Sequence, residues 1–266
     1  MDILYGLHPV EEAVRAGSRT FDHVCLARDR ADAKLERIAA LCRERGIRLR
    51  MEPRDHLTEL ANTAAHQGVV AVVRAKALVD LEDLLVPQAG KTPLLLALDG
   101  VEDPQNLGAL LRTANGAGVD GVVATERRAA PLSGVAAKAS AGAAEHVRMA
   151  RVVNMTRALE QIKAANIWVI GLDERGEQTY DQFDFTTPCA LVLGREGAGL
   201  HELVKRTCDH LLRIPMAGAI ASLNVSVAGA VVLFEAARQR RNAALALGQP
   251  AEAPAKPKKT KGMGSF

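Results

Sequence analysis

At 266 residues, 48% of them hydrophobic, the chain is long enough for one large domain or two ordinary ones with buried cores. Aromatic residues make up only 3%, so those cores must be built from Ala, Val, Leu and Ile. The net charge of +3 is accounted for beyond Arg241, where Lys256, Lys258, Lys259 and Lys261 face Glu252, so the rest is near neutral and not a globally basic nucleic-acid binder. No apolar run reaches membrane-spanning length and no basic-then-apolar leader pattern opens the sequence, so a cytoplasmic location is expected. Cys25, Cys42, Cys189 and Cys208 lack CxxC spacing and read as reduced buried thiols, and the seven histidines form no metal-ligand pattern.

Residues 1–75 read as a small α/β unit. Strands are expected at 3–5, 23–27, 47–51 and 69–73, with helices at 9–16, 31–45 and 55–65 between them. Pro9 and Gly17 punctuate the first helix, and Gly46 closes the second. Arg43, Arg45, Arg48, Arg50 and Arg54 cluster against only Glu44 and Glu52, which suits either an RNA contact or a solvated helix face. Hydrophobic periodicity weakens over 76–92, which reads as a linker with one helical turn at 81–85.

A second α/β domain is expected over 93–241. The apolar run 94–98 suits a strand buried on both faces. Further strands are expected at 121–124, 147–152, 167–171, 190–193 and 211–214. Helices are expected at 107–116, 132–144, 154–165 and 200–208, and a long one from about 223 to 241. Residues 173–187 read as a polar connection and 242–266 as a disordered basic tail. Strands alternating with helices argue for a parallel sheet with right-handed crossovers.

In open parallel sheets ligands bind beyond the carboxyl ends of strands. Three loops in such positions carry Gly with Asn, Glu or Ser. The first is DGVEDPQNLGALLR over 99–112, with Asn106 at the helix entry, Gly108 allowing close backbone approach, and Arg112 about one and a half turns in. The second, GREGAG at 194–199, holds Glu196 as its single carboxylate, and its glycines admit a planar ligand close to the backbone. The third, IPMAGAIASLN at 214–224, brings Ser222 and Asn224 to a helix start, where either caps free N–H groups. A GxGxxG fingerprint is missing, and GREGAG lacks the Lys-Ser/Thr of a P-loop, so nucleotide folds of those kinds are disfavoured.

DGVEDPQNLGALLRTANGAG, LVLGREGAGL and IPMAGAIASLNVSVAGAVVLFEA together resemble the three motifs of the SpoU/TrmH (SPOUT) ribose 2′-O-methyltransferases. YGLHPVEEAV and HQGVVAVV resemble the N-terminal substrate-binding unit of the branch called RlmB, and the resemblance spans about residues 2–241. It implies an α/β trefoil-knot methyltransferase domain preceded by an L30e/L7Ae-like α/β RNA-binding unit. It further implies S-adenosylmethionine as cofactor, large-subunit (23S) ribosomal RNA as substrate with a guanosine ribose as target, and a homodimer with the active site near the subunit interface. By motif match the cofactor would be held by Gly194, Ile214, Met216, Gly218 and Leu223, largely through backbone groups.

The family proposal makes Arg112 the base or its organiser, but a guanidinium with a pKa above about 12 is normally charged. A bidentate phosphate clamp that also stabilises the developing alkoxide suits it better. Asn106 and Asn224 would fix geometry, Ser222 relay a proton, and Glu196 orient Arg112 or the ligand loop. The plainer readings are a surface loop acid for Glu196 and a helix cap for Ser222. Transfer RNA as substrate, or a non-catalytic RNA-binding module, are the competing functions.

Overall fold

The computed structural model describes residues 1–29, 32–88 and 90–248; the expected basic tail lies outside them from residue 249 onward. The N-terminal unit contains β1 (Asp2–Tyr5), α1 (Leu7–Ala16), β2 (Phe21–Ala27), α2 (Ala33–Glu44), β3 (Leu49–Glu52), α3 (Arg54–Ala61) and β4 (Val69–Val73). Its sheet order is β1-β4-β2-β3. Every residue of β4 is buried, as its unbroken β-branched run demands of an inner strand. It runs antiparallel to β1 and β2, while β2 and β3 are parallel, so the sheet is mixed. The helix expected over 55–65 stops at Asn62, which turns left-handed at φ 49°, and a separate 3-10 turn follows at Ala64–His66.

A short helix, α4 (Leu81–Leu85), sits in the segment expected to be a linker. Leu81 and Leu84 are buried in the core of the second unit, and a Cβ on Gly121 would lie 2.5 Å from Leu84 Cδ2. This connection is therefore packed.

The second unit comprises β5 (Leu94–Leu98), α5 (Pro104–Ala117), β6 (Gly121–Thr125), α6 (Gly134–Ala139), β7 (Met149–Val152), α7 (Met155–Ala164), β8 (Trp168–Leu172), β9 (Gln178–Thr179), β10 (Cys189–Leu193), α8 (Glu202–Thr207), β11 (His210–Arg213) and α9 (Val225–Ala246). All seven strands pair in parallel, in the order β7-β6-β5-β10-β8-β11-β9. The two-residue side-chain period sorts β5 between two cores. Leu94, Leu96 and Leu98 join Leu107, Leu110 and Leu233 from α5 and α9 on one face. Leu95 and Ala97 join Leu159, Ile162 and Val204 from α7 and α8 on the other. Each such leucine contributes about 1.5–3 kcal/mol by leaving water.

Three expectations need correction. The helix expected over 132–144 breaks, because Ala141 and Gly142 take positive φ (51° and 89°), and it resumes as a 3-10 turn at Ala143–Glu145. The polar connection at 173–187 contains the edge strand β9 and a 3-10 turn at Tyr180–Gln182. The last helix starts at Val225, capped by Asn224, and continues past residue 241 to Ala246.

Strand β10 enters between β5 and β8, both earlier in the chain, and β11 lies beyond β8. Helix α9 then returns across the sheet to pack on α5. Arg240 fastens this return: its guanidinium donates to the carbonyls of Thr92, Pro93 (2.9 Å) and Thr187 (2.9 Å), and its Nε to that of Phe185 (2.8 Å).

Candidate active site

The loop after β5 is rigid before it reaches α5. Buried Asp99 accepts from the His201 backbone N–H at 2.9 Å and lies 2.9 Å from His201 Nδ1, tying the β5 loop to the end of the β10 loop. Gly100 holds φ 82°, and a Cβ there would stand 2.7 Å from Arg195 Cγ, so only glycine fits. Asp103 caps α5 by accepting from Gln105 N at 3.0 Å, with Pro104 in the first turn. The helix therefore begins before the expected residue 107, which buries Asn106 in its first turn and sets Arg112 about two turns in. Arg112 is exposed and has no hydrogen-bond or ion-pair partner among the described residues. Gly108 does allow a close approach, but to α6: a Cβ would lie 2.4 Å from Ala139 Cβ.

After β10 the chain makes a tight reversal. Arg195 N donates to Gly199 O (2.9 Å) and Gly199 N to Arg195 O (3.0 Å). A Cβ on Gly194 would fall 2.2 Å from the Gly199 carbonyl carbon, which excludes any side chain. Gly197 and Gly199 both have positive φ, with open space where a Cβ would stand. The reversal lifts Glu196 into contact with the other two loops.

There the three loops meet. Asn106 Nδ2 donates to Glu196 Oε2 at 3.0 Å, and Asn224 Nδ2 donates to Asn106 Oδ1 at 3.0 Å and to Glu196 Oε1 at 3.1 Å. The amide orientations follow from one anchor. Asn224 Oδ1 caps α9, accepting from Ser226 N (2.9 Å) and Ser226 Oγ (2.6 Å), so its Nδ2 must face the other two residues. Asn106 must then turn its oxygen to Asn224 and its nitrogen to Glu196. Both carboxylate oxygens of Glu196 are used and neither contacts Arg112; of its two expected roles, orienting Arg112 or the ligand loop, the first has no contact behind it, and Glu196 instead touches the polar residues of the neighbouring loops. The helix cap is Asn224; Ser222 is exposed on the loop before it.

Beside this junction lies a cleft of about 200 Å³ between the ends of β8, β10 and β11 and the start of α9. It is lined by residues 172–174, 193–199 and 221–223 together with Ile214, Met216, Val225 and Ala228. Of the residues singled out in the sequence, Gly194, Glu196, Ile214, Met216, Ser222 and Leu223 lie on the lining, whereas Gly218, Asn106, Arg112 and Asn224 stand outside it. Sequence reasoning missed Leu172, Asp173 and Glu174, although β8 ends on the same edge as the other loops, which was the available signal. Burial opposes the charge on Asp173, but the Lys205 ammonium at 2.8 Å and the Arg175 backbone N–H hold its carboxyl below the usual range. Among the described residues no group of three His, Cys, Asp or Glu side chains could hold a metal ion.

The chain is similar to known proteins over nearly its whole length. Residues 93–234 match the SpoU rRNA Methylase family, and residues 3–79 match the RNA 2′-O ribose methyltransferase substrate-binding family. The chain is 42% identical over 239 residues to the 23S rRNA (guanosine-2′-O-)-methyltransferase RlmB of Ralstonia nicotianae, covering 90% of this chain and 96% of that protein. It is 39% identical over 242 residues to RlmB of Escherichia coli K12, covering 90% and 99%. Its fold is similar to the SpoU methyltransferase AviRb of Streptomyces viridochromogenes, solved with AdoMet, at TM-score 0.76 and 27% identity over 90% of each chain. An AdoMet-bound rRNA methyltransferase of Sinorhizobium meliloti aligns at TM-score 0.75 and 29% identity, covering 89% of this chain and 87% of that one. These agree with the expected α/β trefoil-knot methyltransferase class with an N-terminal substrate-binding unit, and the chain belongs to the SpoU rRNA methylase family.

Proposed function

We propose that this protein is an S-adenosylmethionine-dependent methyltransferase that modifies a guanosine ribose 2′-hydroxyl in 23S ribosomal RNA. The observation that carries this reading is the Asn106–Glu196–Asn224 junction, which locks three separate loops around one cleft. The cleft suits the cofactor chemically: Leu172, Leu193, Ile214 and Leu223 offer apolar faces to a purine, and open backbone beside Gly197 and Gly199 offers polar edges. When bound, S-adenosylmethionine supplies a methyl group already activated on a sulfonium. The residues of this chain then have two tasks, holding the ribose hydroxyl in line and managing its proton.

In this reading Gly194, Ile214, Met216 and Leu223 grip the cofactor, with Gly218 on the flanking loop. Arg112, exposed and unpartnered, clamps a phosphate of the target nucleotide and stabilises the developing alkoxide. Asn106, Glu196 and Asn224 fix the loops, and Ser222, exposed on the cleft wall, relays the hydroxyl proton to bulk water as the methyl leaves the sulfonium for the oxygen. Residues 1–75 recognise RNA, 76–92 join the units, the part from 93 to the end of α9 carries the transfer, and the lysine-bearing tail beyond α9 adds salt-sensitive affinity. The working form is a cytoplasmic homodimer. Exposed Val227 and Phe234 on α9 support a partner surface close to α5, since a Cβ on Gly116 would lie 3.4 Å from Phe234 Cζ.

The test is to incubate the purified chain and S-adenosylmethionine with 23S ribosomal RNA and with transfer RNA, then map ribose methylation by resistance to alkaline cleavage. One protected guanosine in the ribosomal RNA is expected. Protection of transfer RNA alone would replace the substrate, and protection of neither would end the reading.

A further inference from the structure

We propose that the turn after β6, residues 126–130, is a phosphate-binding platform that carries the substrate RNA strand between the catalytic loops and the N-terminal unit. The proposal rests on the RNA methyltransferase reading above and adds a contact site to it.

The turn presents Glu126, Arg127 and Arg128 to solvent, and neither arginine has a hydrogen-bond or ion-pair partner among the described residues. It is held from below. Glu126 N donates to Val152 O at 2.9 Å, and Ala130 N donates to Val101 O at 2.8 Å. Arg151 reaches up from β7 to donate to Thr125 O at 2.7 Å and to Ala130 O. A half-buried guanidinium thus fixes the frame on which two free guanidiniums stand. Arg128 adopts φ 52°, a left-handed conformation that glycine takes without strain and arginine does not. A side chain kept at a strained position on a rigid turn points to a use for that side chain.

The position of the turn says what the use is. The Ala130–Val101 bond ties it to the loop leading into α5, which carries Asn106 and Arg112. On its other side the chain enters α6, which is seated on the N-terminal unit: a Cβ on Gly134 would lie 2.4 Å from Ile3 O. Lys138 on α6 donates to Ala65 O at 2.6 Å and stands 5.3 Å from the Tyr5 ring centroid. Burial first, then the nearby charges of Arg54 and Lys138, hold His66 below the usual imidazole range, so each of those cations faces His66 from its own unit. Arg112, Arg127, Arg128, Lys138 and Arg54 therefore form a cationic succession from one unit to the other. Unpaired guanidiniums suit phosphate oxygens, and such contacts set register along a strand without reading its bases.

The test compares the full chain with an Arg127→Gln/Arg128→Gln double variant in equilibrium binding of a 23S ribosomal RNA transcript across a salt series, with calorimetric titration of S-adenosylmethionine alongside. Removing two phosphate contacts should weaken RNA binding about tenfold at low salt and flatten the log–log salt slope by about 1.4–1.8. Cofactor binding should not change. Arg127→Lys/Arg128→Lys should keep the slope, and Arg128→Gly should melt no lower than the parent chain while losing RNA affinity. A double variant that binds and methylates RNA as the parent does, with the same slope, would overturn the platform alone. A parent chain that neither binds nor methylates RNA would overturn both readings, and the two failures are told apart by the parent's own behaviour.

Discussion

At the seam between the two units, Arg19 has no solvent-exposed side-chain surface: its Nε lies 3.0 and 2.9 Å from the two oxygens of equally enclosed Glu145, and its Nη1 donates to Asp2 at 3.0 Å. At the carboxyl edge of the large sheet, Arg112, Arg127 and Arg128 stand in water with no partner among the described residues. The difference separates structural arginines from those free for a ligand. Desolvating a guanidinium is costly, so an enclosed one survives only with its charge and donors engaged, as Arg19 largely is, while half-buried Arg151 and Arg240 spend their donors on backbone carbonyls. An exposed one costs the fold little and remains free to bind.

The contrast can be broken first at the seam. Glu145→Ala leaves the Arg19 guanidinium enclosed without its main counter-charge and should destabilise the chain by about 3–5 kcal/mol in denaturant titration. A loss under about 1 kcal/mol would mean that the seam behaves like ordinary surface. At the rim, Glu196→Gln replaces one carboxylate oxygen with a second amide donor facing Asn106 or Asn224, so the loops lose a charge-assisted hydrogen bond. Cofactor affinity should fall by about 1–2 kcal/mol, about five- to thirtyfold by calorimetry, with global stability nearly unchanged. Unchanged cofactor affinity would detach the junction from the cleft.

At the seam a pH dependence is also expected from Lys76, whose ammonium donates to Ala144 O and to Val147 O (2.6 Å). Burial pulls its pKa from 10.5 to about 8, against the opposite pull of Glu145. The folded chain holds this proton less tightly than the unfolded one. Between about pH 8 and 10.5 the unfolded state therefore binds more protons, and this group makes stability rise with pH across that window. In Lys76→Met that increment should vanish, and identical pH–stability curves for both chains would remove Lys76 from the seam's energetics.

Much of this was legible in the sequence. The continuous apolar runs of β4, β5 and β10 declared buried strands, and Asn106, Glu196 and Asn224 stood out as polar residues in glycine-bearing loops at strand ends. What stayed hidden depends on partners far along the chain. Asn106 and Asn224 are 118 residues apart and Arg19 and Glu145 are 126 apart, and periodicity carries no information at that range. The break after α6 was hidden because Ala141 is a non-glycine residue at positive φ in an alanine-rich run that otherwise favours helix. Strand β9 has two residues and exists only because β11 pairs with it. The close approach of Gly108 was foreseen, but its partner proved to be a helix of the same chain.

The most direct measurement is single-turnover methyl transfer to 23S ribosomal RNA by Arg112→Lys, set beside calorimetric binding of S-adenosylmethionine to the same variant. Lysine keeps the charge and loses the two-pronged geometry, so transfer should fall by about 10²-fold while cofactor affinity stays within about twofold. Full transfer by Arg112→Lys would contradict the clamp, and a matching loss of cofactor affinity would place Arg112 with the cofactor instead of the RNA.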